Sequence, residues 1–367
     1  MLDNPRLAVV GCGYWGSKHV RVISQMLSAQ LALAVDARPE RLDYISATYS
    51  VTVSDQFEAA LGPEIDGVVL ATPISSHYAL ARQALLAGKH VLVEKPLATS
   101  TAECRELLAL AERSDTTLMV GHTFEYHPAV EYLRAIIERG ELGRIYYVDC
   151  ARLNLGLFQQ DSDALWDLAP HDLSIIHYIL GETAHSISAT GSNHILSGSA
   201  DVAYANMSFS GGASAHLHVS WLDPCKVRRV TVVGSKAMVV FNDVAVSEKI
   251  RIYDKRFTYS STGDHYFDFQ SGYHHGNVVI PAIGTAEPLM RELEDFATAI
   301  RTGSPVRADG RSGLRVVQAL EAASRSMTAS GRVEPLREPD ARSIEPGART
   351  ILAPAHANGN QAGVVGG

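Results

Sequence analysis

Three short stretches of this chain carry residue types that do chemistry, at spacings that chemistry can use. The first, Gly11-Cys12-Gly13-Tyr14-Trp15-Gly16, is a G-x-G-x-x-G run. Alone it is a weak signal, but here it follows an apolar run at 7–10 and opens a helical stretch, as a dinucleotide site requires. Gly11 makes the tight turn, Gly13 lets a pyrophosphate approach backbone N–H groups, and Gly16 lets helix and strand pack closely. The helix N-terminus then faces the anion, with Tyr14 and Trp15 in the same loop as expected cofactor contacts. Asp36 stands 20 residues after Gly16, at the end of the next apolar run. A carboxylate there accepts from a ribose 2′-hydroxyl and repels a 2′-phosphate, which favours NAD over NADP; Arg38, two residues on, could soften that preference and leave NADP possible. The plainer alternative is a glycine-rich turn beside a surface aspartate.

The second stretch is Glu94-Lys95-Pro96, directly after the apolar run 90–93. Ligands of open α/β sheets lie beyond the carboxyl ends of the strands, so Lys95 is placed in the crevice. Pro96 restricts Lys95 to extended backbone and admits a cis bond. A charged lysine there can donate to a substrate oxygen; on position alone a solvated loop lysine is an equal reading.

The third is Trp166-Asp167-Leu168-Ala169-Pro170-His171-Asp172. Pro170 suits the first position of a helix. His171 would then fall in the first turn, where the helix dipole disfavours imidazolium and leaves a neutral ring able to accept a proton. Asp167 could orient that ring or bind substrate directly. A lone histidine in a helix is more often structural, and His171 and His177, six residues apart, are poorly spaced for a shared metal, so no metal site is expected. Thr72-Pro73, with His77 four residues on, ends another apolar run and could line the cofactor. Lys226, Arg228 and Arg229 could pair with a diphosphate; a solvated or subunit-facing sheet edge is the plainer reading. Tyr273-His274-His275 reads as a polar loop.

The elements that must hold these residues follow from periodicity. Short apolar runs at 7–10, 31–35, 67–71, 90–93 and 117–120 suit strands buried on both faces of a parallel sheet. Helical stretches at 76–87 and 102–113 fall between them, the second with a Ser100/Glu103 capping box. This alternation gives βαβ units and a doubly wound parallel sheet. From about residue 123 the pattern changes: a helix at 128–139, a strand at 145–152, a short helix from Pro170, and successive strands over 200–254 with Gly, Asp and Asn turns. That reads as an antiparallel or mixed sheet. Helices at 287–302 and 312–330 close the fold. The expected organisation is a nucleotide-binding domain over 1–122, a substrate and oligomerisation α/β domain over 123–336, and a loose tail over 337–367.

Composition limits the rest. At 367 residues, about two domains are expected. The hydrophobic fraction of 46% and charged fraction of 20% are those of a soluble globular chain, which excludes fibrous and broadly disordered classes. A formal net charge of −8 argues against a generally basic nucleic-acid binder. Four scattered cysteines fit neither a disulfide scaffold nor a zinc site. Without a signal-peptide pattern or a membrane-length apolar run, a cytoplasmic protein is expected.

Taken in order, Gly11–Gly16, Thr72-Pro73 with His77, Glu94-Lys95-Pro96, and the Asp167/His171 pair make the chain resemble the Gfo/Idh/MocA oxidoreductases over about residues 5–335. The resemblance implies an N-terminal Rossmann domain and a C-terminal α/β domain with a large open sheet. It also implies homodimers or homotetramers that form through that sheet. It implies NAD(P)-dependent hydride transfer at a secondary alcohol or ketone of a sugar or cyclitol. Lys95 would bind the reacting oxygen, His171 would act as base or acid, Asp167 would position His171 or a substrate hydroxyl, and Glu94 would belong to the cofactor loop. Many relatives carry glycines before the aspartate and two residues before the histidine. The variant here, with Trp166 and Ala169-Pro170, resembles members acting on nucleotide sugars, including 3-dehydrogenases and 3-ketoreductases. An inositol or free-sugar dehydrogenase is the alternative, and a non-catalytic NAD-binding regulator a second; whether Lys226–Arg229 lines the cleft separates the first two.

Overall fold

The computed structural model describes residues 4–156, 158, 162–195, 197–261 and 269–336. The expected tail at 337–367 lies outside the described residues. Six strands, β1 (Arg6–Val10), β2 (Gln30–Val35), β3 (Thr52–Ser54), β4 (Gly67–Leu70), β5 (His90–Val93) and β6 (Leu118–Val120), form an all-parallel sheet in the order β3-β2-β1-β4-β5-β6. The helices between them are α1 (Tyr14–Gln25), α2 (Pro39–Thr48), α3 (Ile74–Leu86) and α4 (Thr101–Ser114). This is the doubly wound Rossmann order, and the strand order reverses between β1 and β4, where a ligand crevice opens. β1 and β4 are short and apolar because both faces are covered. Ser100 caps α4 by accepting from the Glu103 amide, and Glu103 Oε2 in turn accepts from the Thr99 amide at 3.0 Å.

After a 3-10 turn at Thr123–Tyr126 come α5 (Pro128–Glu138), β7 (Ile145–Leu153) and α6 (Ala164–Leu180). β8 (Ala184–Ser192), β9 (Val202–Phe209), β10 (Ser214–Ser220), β11 (Val227–Gly234), β12 (Met238–Asn242), β13 (Ile250–Ser261) and β14 (Phe269–Val279) follow. The chain closes with α7 (Pro288–Thr302), α8 (Gly310–Thr328) and β15 (Glu334–Pro335). The second sheet has nine strands, β14-β13-β12-β11-β7-β10-β9-β8-β15, antiparallel except for the parallel pair β7 and β10. One face is packed: Val148, Cys150, Leu217, Val230 and Val232 meet Leu173 and Ile176 of α6 and Leu133 of α5. The other face is left open.

The last two helices return to the first sheet. Leu293 and Phe296 of α7 pack with Leu7, Val69 and Leu92 on one face. Leu314 and Val317 of α8 pack with Val91, Val93 and Leu97 on the other, while Val316 and Leu320 of α8 face the core of the second sheet. Helix α8 is thus the wedge that fixes the crevice between the two sheets.

Three expectations are corrected. The helix carrying His171 starts at Ala164, not Pro170, because Asp163 accepts from the Trp166 amide at 2.8 Å and caps it a turn and a half earlier. Tyr273-His274-His275 lies in β14, paired with β13, where His274 Nε2 is 2.8 Å from Asp254 Oδ2. The Lys226–Arg229 cluster runs into β11, an interior strand between β12 and β7, not a sheet edge. Strands β3, β8 and β14 and helix α2 had no clear periodic signal. β8, for example, alternates small and polar residues around Ile187 and Ala189.

Candidate active site

The glycine loop is built as its chemistry demands. Gly11 sits at φ +88°, and a Cβ there would stand 2.6 Å from the Ala71 carbonyl oxygen. A Cβ on Gly16 would fall 1.6 Å from the Gly11 carbonyl oxygen. Both positions exclude any side chain. A Cβ on Gly13 would meet only Arg38 Nη2, at 3.7 Å, so the loop is open there for an approaching anion. The cavity above it, about 740 Å³, is lined by Gly11, Gly13, Tyr14, Asp36, Arg38 and Thr72 among others. An elongated dinucleotide fits this cradle: small residues under the phosphates, a carboxylate at the ribose end, and apolar walls.

Asp36 is buried and already engaged. Its oxygens accept from the Cys12 amide (2.7 Å), the Arg38 amide (2.9 Å) and Arg38 Nε (3.1 Å). Burial alone would raise this carboxyl; Arg38 and the two amides outweigh it and hold it below the usual range. Arg38 is thus held against the Asp36 carboxylate in the wall of the same cavity.

A second cavity of about 350 Å³ shares Trp15, Thr72 and Pro73 with the first and continues to His77, Glu94, Lys95, Trp166 and Asp167. Two buried contacts fix its walls. His77 Nδ1 and Nε2 lie 2.9 Å from the carbonyl oxygens of Pro96 and Thr72, tying the β4 and β5 loops together. Glu94 Oε1 lies 2.8 Å from His19 Nε2 of α1, and Glu94 Oε2 accepts from the Lys95 amide at 3.2 Å. Burial would raise Glu94, but His19 and Lys95 hold it below the usual range, so it stays a carboxylate. Both residues line the cavity and also brace the loop that presents Lys95; the Lys95–Pro96 bond is cis.

Lys95 Nζ donates to the Asp167 carbonyl at 2.7 Å and to its carboxylate at 3.3 Å. Pro170, inside α6, has no N–H to donate to the Trp166 carbonyl four residues earlier, so the helix ladder is interrupted next to Asp167. The other Asp167 oxygen accepts from Trp221 Nε1 at 3.1 Å. The Asp167 side chain is thus paired with Lys95 and Trp221, and no hydrogen bond joins it to His171.

His171 packs edge-on against Phe124, ring centres 5.2 Å apart, and its Nδ1 is buried without a partner among the described residues. Burial, followed by the positive charges of Lys95, Arg152 and Arg228, pushes its imidazole well below the usual value. Its neutrality comes from these causes rather than from a first-turn dipole, since His171 lies two turns into α6. Next to it Asp172 makes a buried bidentate pair with Arg152, Nε–Oδ2 3.0 Å and Nη2–Oδ1 2.8 Å. That pair bolts α6 to β7.

Arg228 stands opposite Arg152 in the β7–β11 register, on the packed face shared with Val230 and Val232. It donates to Asp243 at 3.3 Å, and with Lys226 it reaches Tyr14 electrostatically: the Tyr14 phenol is lowered first by Lys18, then by Lys226 and Arg228. Arg229 points to the opposite, open face. Of the three basic residues, Arg228 is the one on the packed face beside His171, and Lys226 is exposed just before β11.

Residues 5–122 match the family described as "Oxidoreductase family, NAD-binding Rossmann fold", and residues 130–240 match the "GFO/IDH/MocA C-terminal domain". The chain belongs to the Gfo/Idh/MocA family. It is an NAD(P)-dependent oxidoreductase acting on CH–OH groups, of the α/β class expected. It is 29% identical over 329 residues to a UDP-N-acetylglucosamine 3-dehydrogenase of Acidithiobacillus ferrooxidans, covering 86% of this chain and 94% of that protein. It is 27% identical over 336 residues to an inositol 2-dehydrogenase of Rhizobium meliloti, covering 88% and 96%. The solved UDP-N-acetylglucosamine 3-dehydrogenase from Acidithiobacillus ferrooxidans superposes with a TM-score of 0.75 at 26% identity, covering 89% of this chain and 99% of that one.

Among the described residues, no helix is long and apolar enough to cross a membrane. Reading the family's motifs in order singled out Lys95, Asp167 and His171, and the basic cluster included Arg228. Trp221, Arg152 and His19 were not singled out. Trp221 lies 54 residues from its partner Asp167 and only the sheet topology joins them. A basic residue ending the apolar run of β7 was the one available hint for Arg152.

Proposed function

We propose that this family member oxidises or reduces a ring carbon of a nucleotide-linked sugar, with C3 the position on which the similar UDP-N-acetylglucosamine 3-dehydrogenase acts. The observation that carries the reading is the Lys95 ammonium, held by both the carbonyl and the carboxylate of Asp167 in the cavity that continues from the glycine loop. An ammonium has three donors, so one stays available for the substrate oxygen. Bound NAD would rest on Gly11, Gly13 and Gly16 with its ribose toward Asp36, and would supply the acceptor for the hydride leaving the carbinol carbon. Lys95 orients and polarises the oxygen on that carbon. His171, kept neutral by burial and three cationic neighbours, takes the hydroxyl proton as the carbon–oxygen double bond forms. In the reverse direction it returns the proton. Asp167 positions Lys95 and Trp221.

Two features support the nucleotide sugar over a free polyol. Arg228 lies on the packed face of β11, where its charge acts on His171, and a cation of this kind suits diphosphate oxygens. The catalytic cavity also adjoins a further one of about 360 Å³, sharing Ile74, Ser162 and Trp166, which gives room beyond a single hexose. The similarity to an inositol 2-dehydrogenase keeps a cyclitol as the competing substrate. The chain is further proposed to divide at residue 122 into cofactor and substrate domains, and to self-associate through the open sheet face.

Lys95→Ala tests the assignment. Turnover should fall by about 10²–10⁴-fold, while NAD binding followed by nicotinamide-dependent fluorescence quenching stays near wild type. Unchanged turnover would remove Lys95 from the chemistry.

A further inference from the structure

A separate cavity, of about 230 Å³, lies where α5, α6 and the start of α8 meet, and shares no lining residue with the catalytic one. Arg134, Arg307 and Arg315 face it, together with His177 and Ser312. Two of the guanidiniums are already occupied. Arg134 donates to Glu138 at 2.6 Å and stacks on Tyr178, and Arg307 donates to Glu131 and to the Glu125 carbonyl, each at 2.6 Å. Arg315 has no hydrogen bond or ion pair among the described residues, although its charge is felt by His122, Glu125 and His177.

The neutral groups around Arg315 are equally unmatched. His177 is 8% exposed, and neither of its ring nitrogens has a partner among the described residues. Ser312, 6% exposed, has a buried and unpartnered Oγ. Buried polar groups in folded proteins are almost always satisfied, so an unmatched set around one pocket points to something that fills it. An arginine fork, a neutral imidazole N–H and a hydroxyl are all donors. Ser312 and Arg315 also lie in the first two turns of the 19-residue helix α8, whose N-terminus favours negative charge. Acidic groups oppose an anion only weakly here. Burial pushes the Glu125 carboxyl up to about 8, so it is protonated at neutral pH, and Glu182 is drawn aside to the Gly211 amide at 3.0 Å.

We propose that this cavity binds a small oxyanion, a phosphate or a short dicarboxylate, between Arg315, His177 and Ser312. The volume suits an ion of that size and excludes a nucleotide. The occupant would rest on the same helix, α6, that carries Asp167 and His171 into the cleft.

The test is calorimetric titration of the full-length protein with inorganic phosphate and, separately, malonate, with sodium chloride as the ionic control. Saturating NAD is present so that the glycine loop is blocked. Saturable binding of one anion, weakened about tenfold or more in Arg315→Gln with NAD affinity unchanged, is the expected result. Which anion binds assigns the site to phosphates or to carboxylates. Arg315→Lys keeps the charge but loses the fork, and should also bind more weakly than wild type; it carries the test if the glutamine variant does not fold. Absence of saturable binding by either anion, or equal affinity in wild type and variant, would overturn the proposal.

Discussion

Lys95 and His171 meet the cleft with different electrostatic histories. Lys95 donates to the Asp167 oxygens, and its positive charge is one of the reasons His171 does not take up a proton. A base depressed in this way stays active as pH falls through neutrality. For alcohol oxidation, kcat/KM should therefore hold level across neutral pH and decline only well below 6.5, because kcat/KM reports the free enzyme's ionisations. Lys95→Gln removes the cation that acts most strongly on His171 and should move that decline to higher pH in the residual activity. An acid limb at or above 6.5 in wild type would contradict a His171 base in this setting. At this scale the chemistry-bearing residues were legible because each sits in a local pattern. Their partners were not, since Trp221 for Asp167 and His19 for Glu94 are contacts between distant segments.

Helix α6 is the element that delivers both Asp167 and His171, and its anchor is the Arg152–Asp172 pair. Burial would discourage the Arg152 charge, but the Asp172 carboxylate outweighs it and keeps the guanidinium protonated. Removing one partner of a buried pair leaves the other uncompensated, at a cost of about 3–5 kcal/mol. Asp172→Ala should lower unfolding free energy in urea by that amount, and a loss under about 1 kcal/mol would mean the pair acts like a surface bridge. The sequence placed the start of α6 at Pro170 because proline favours the first helical position. The Asp163 cap overrode that preference, and the proline was absorbed as an interior break beside the carbonyl that Lys95 uses. Five of the six strands of the first sheet were readable almost to the residue because both faces are apolar, and the short edge strand β3 was not. Those of the second sheet were partly hidden, since one face is polar and the alternation in β8 and β14 uses small residues and histidines.

For the molecule as a whole, the two sheets divide the labour. The six-stranded sheet carries the nucleotide loop and Lys95, the packed face of the nine-stranded sheet carries Arg152, Arg228 and Trp221, and α8 wedges between them. The opposite face of the larger sheet exposes Tyr147 and Tyr204, with Tyr204 stacked on His218 at 4.4 Å. An antiparallel sheet with one face bare and aromatic-rich is a surface that a second copy can cover. Light scattering on the purified protein should give a dimer or tetramer, and a charge placed at Tyr204 should shift it toward monomer; a wild-type monomer at all concentrations would reject that assembly. The decisive question is the substrate. The measurement that reaches it is reduced-nicotinamide absorbance on mixing the enzyme and NAD with UDP-sugars, free sugars and inositols in parallel. Turnover confined to the nucleotide sugars, reduced by Arg228→Ala mainly through KM, is the expected result. Turnover with inositols or free sugars and none with nucleotide sugars would contradict it.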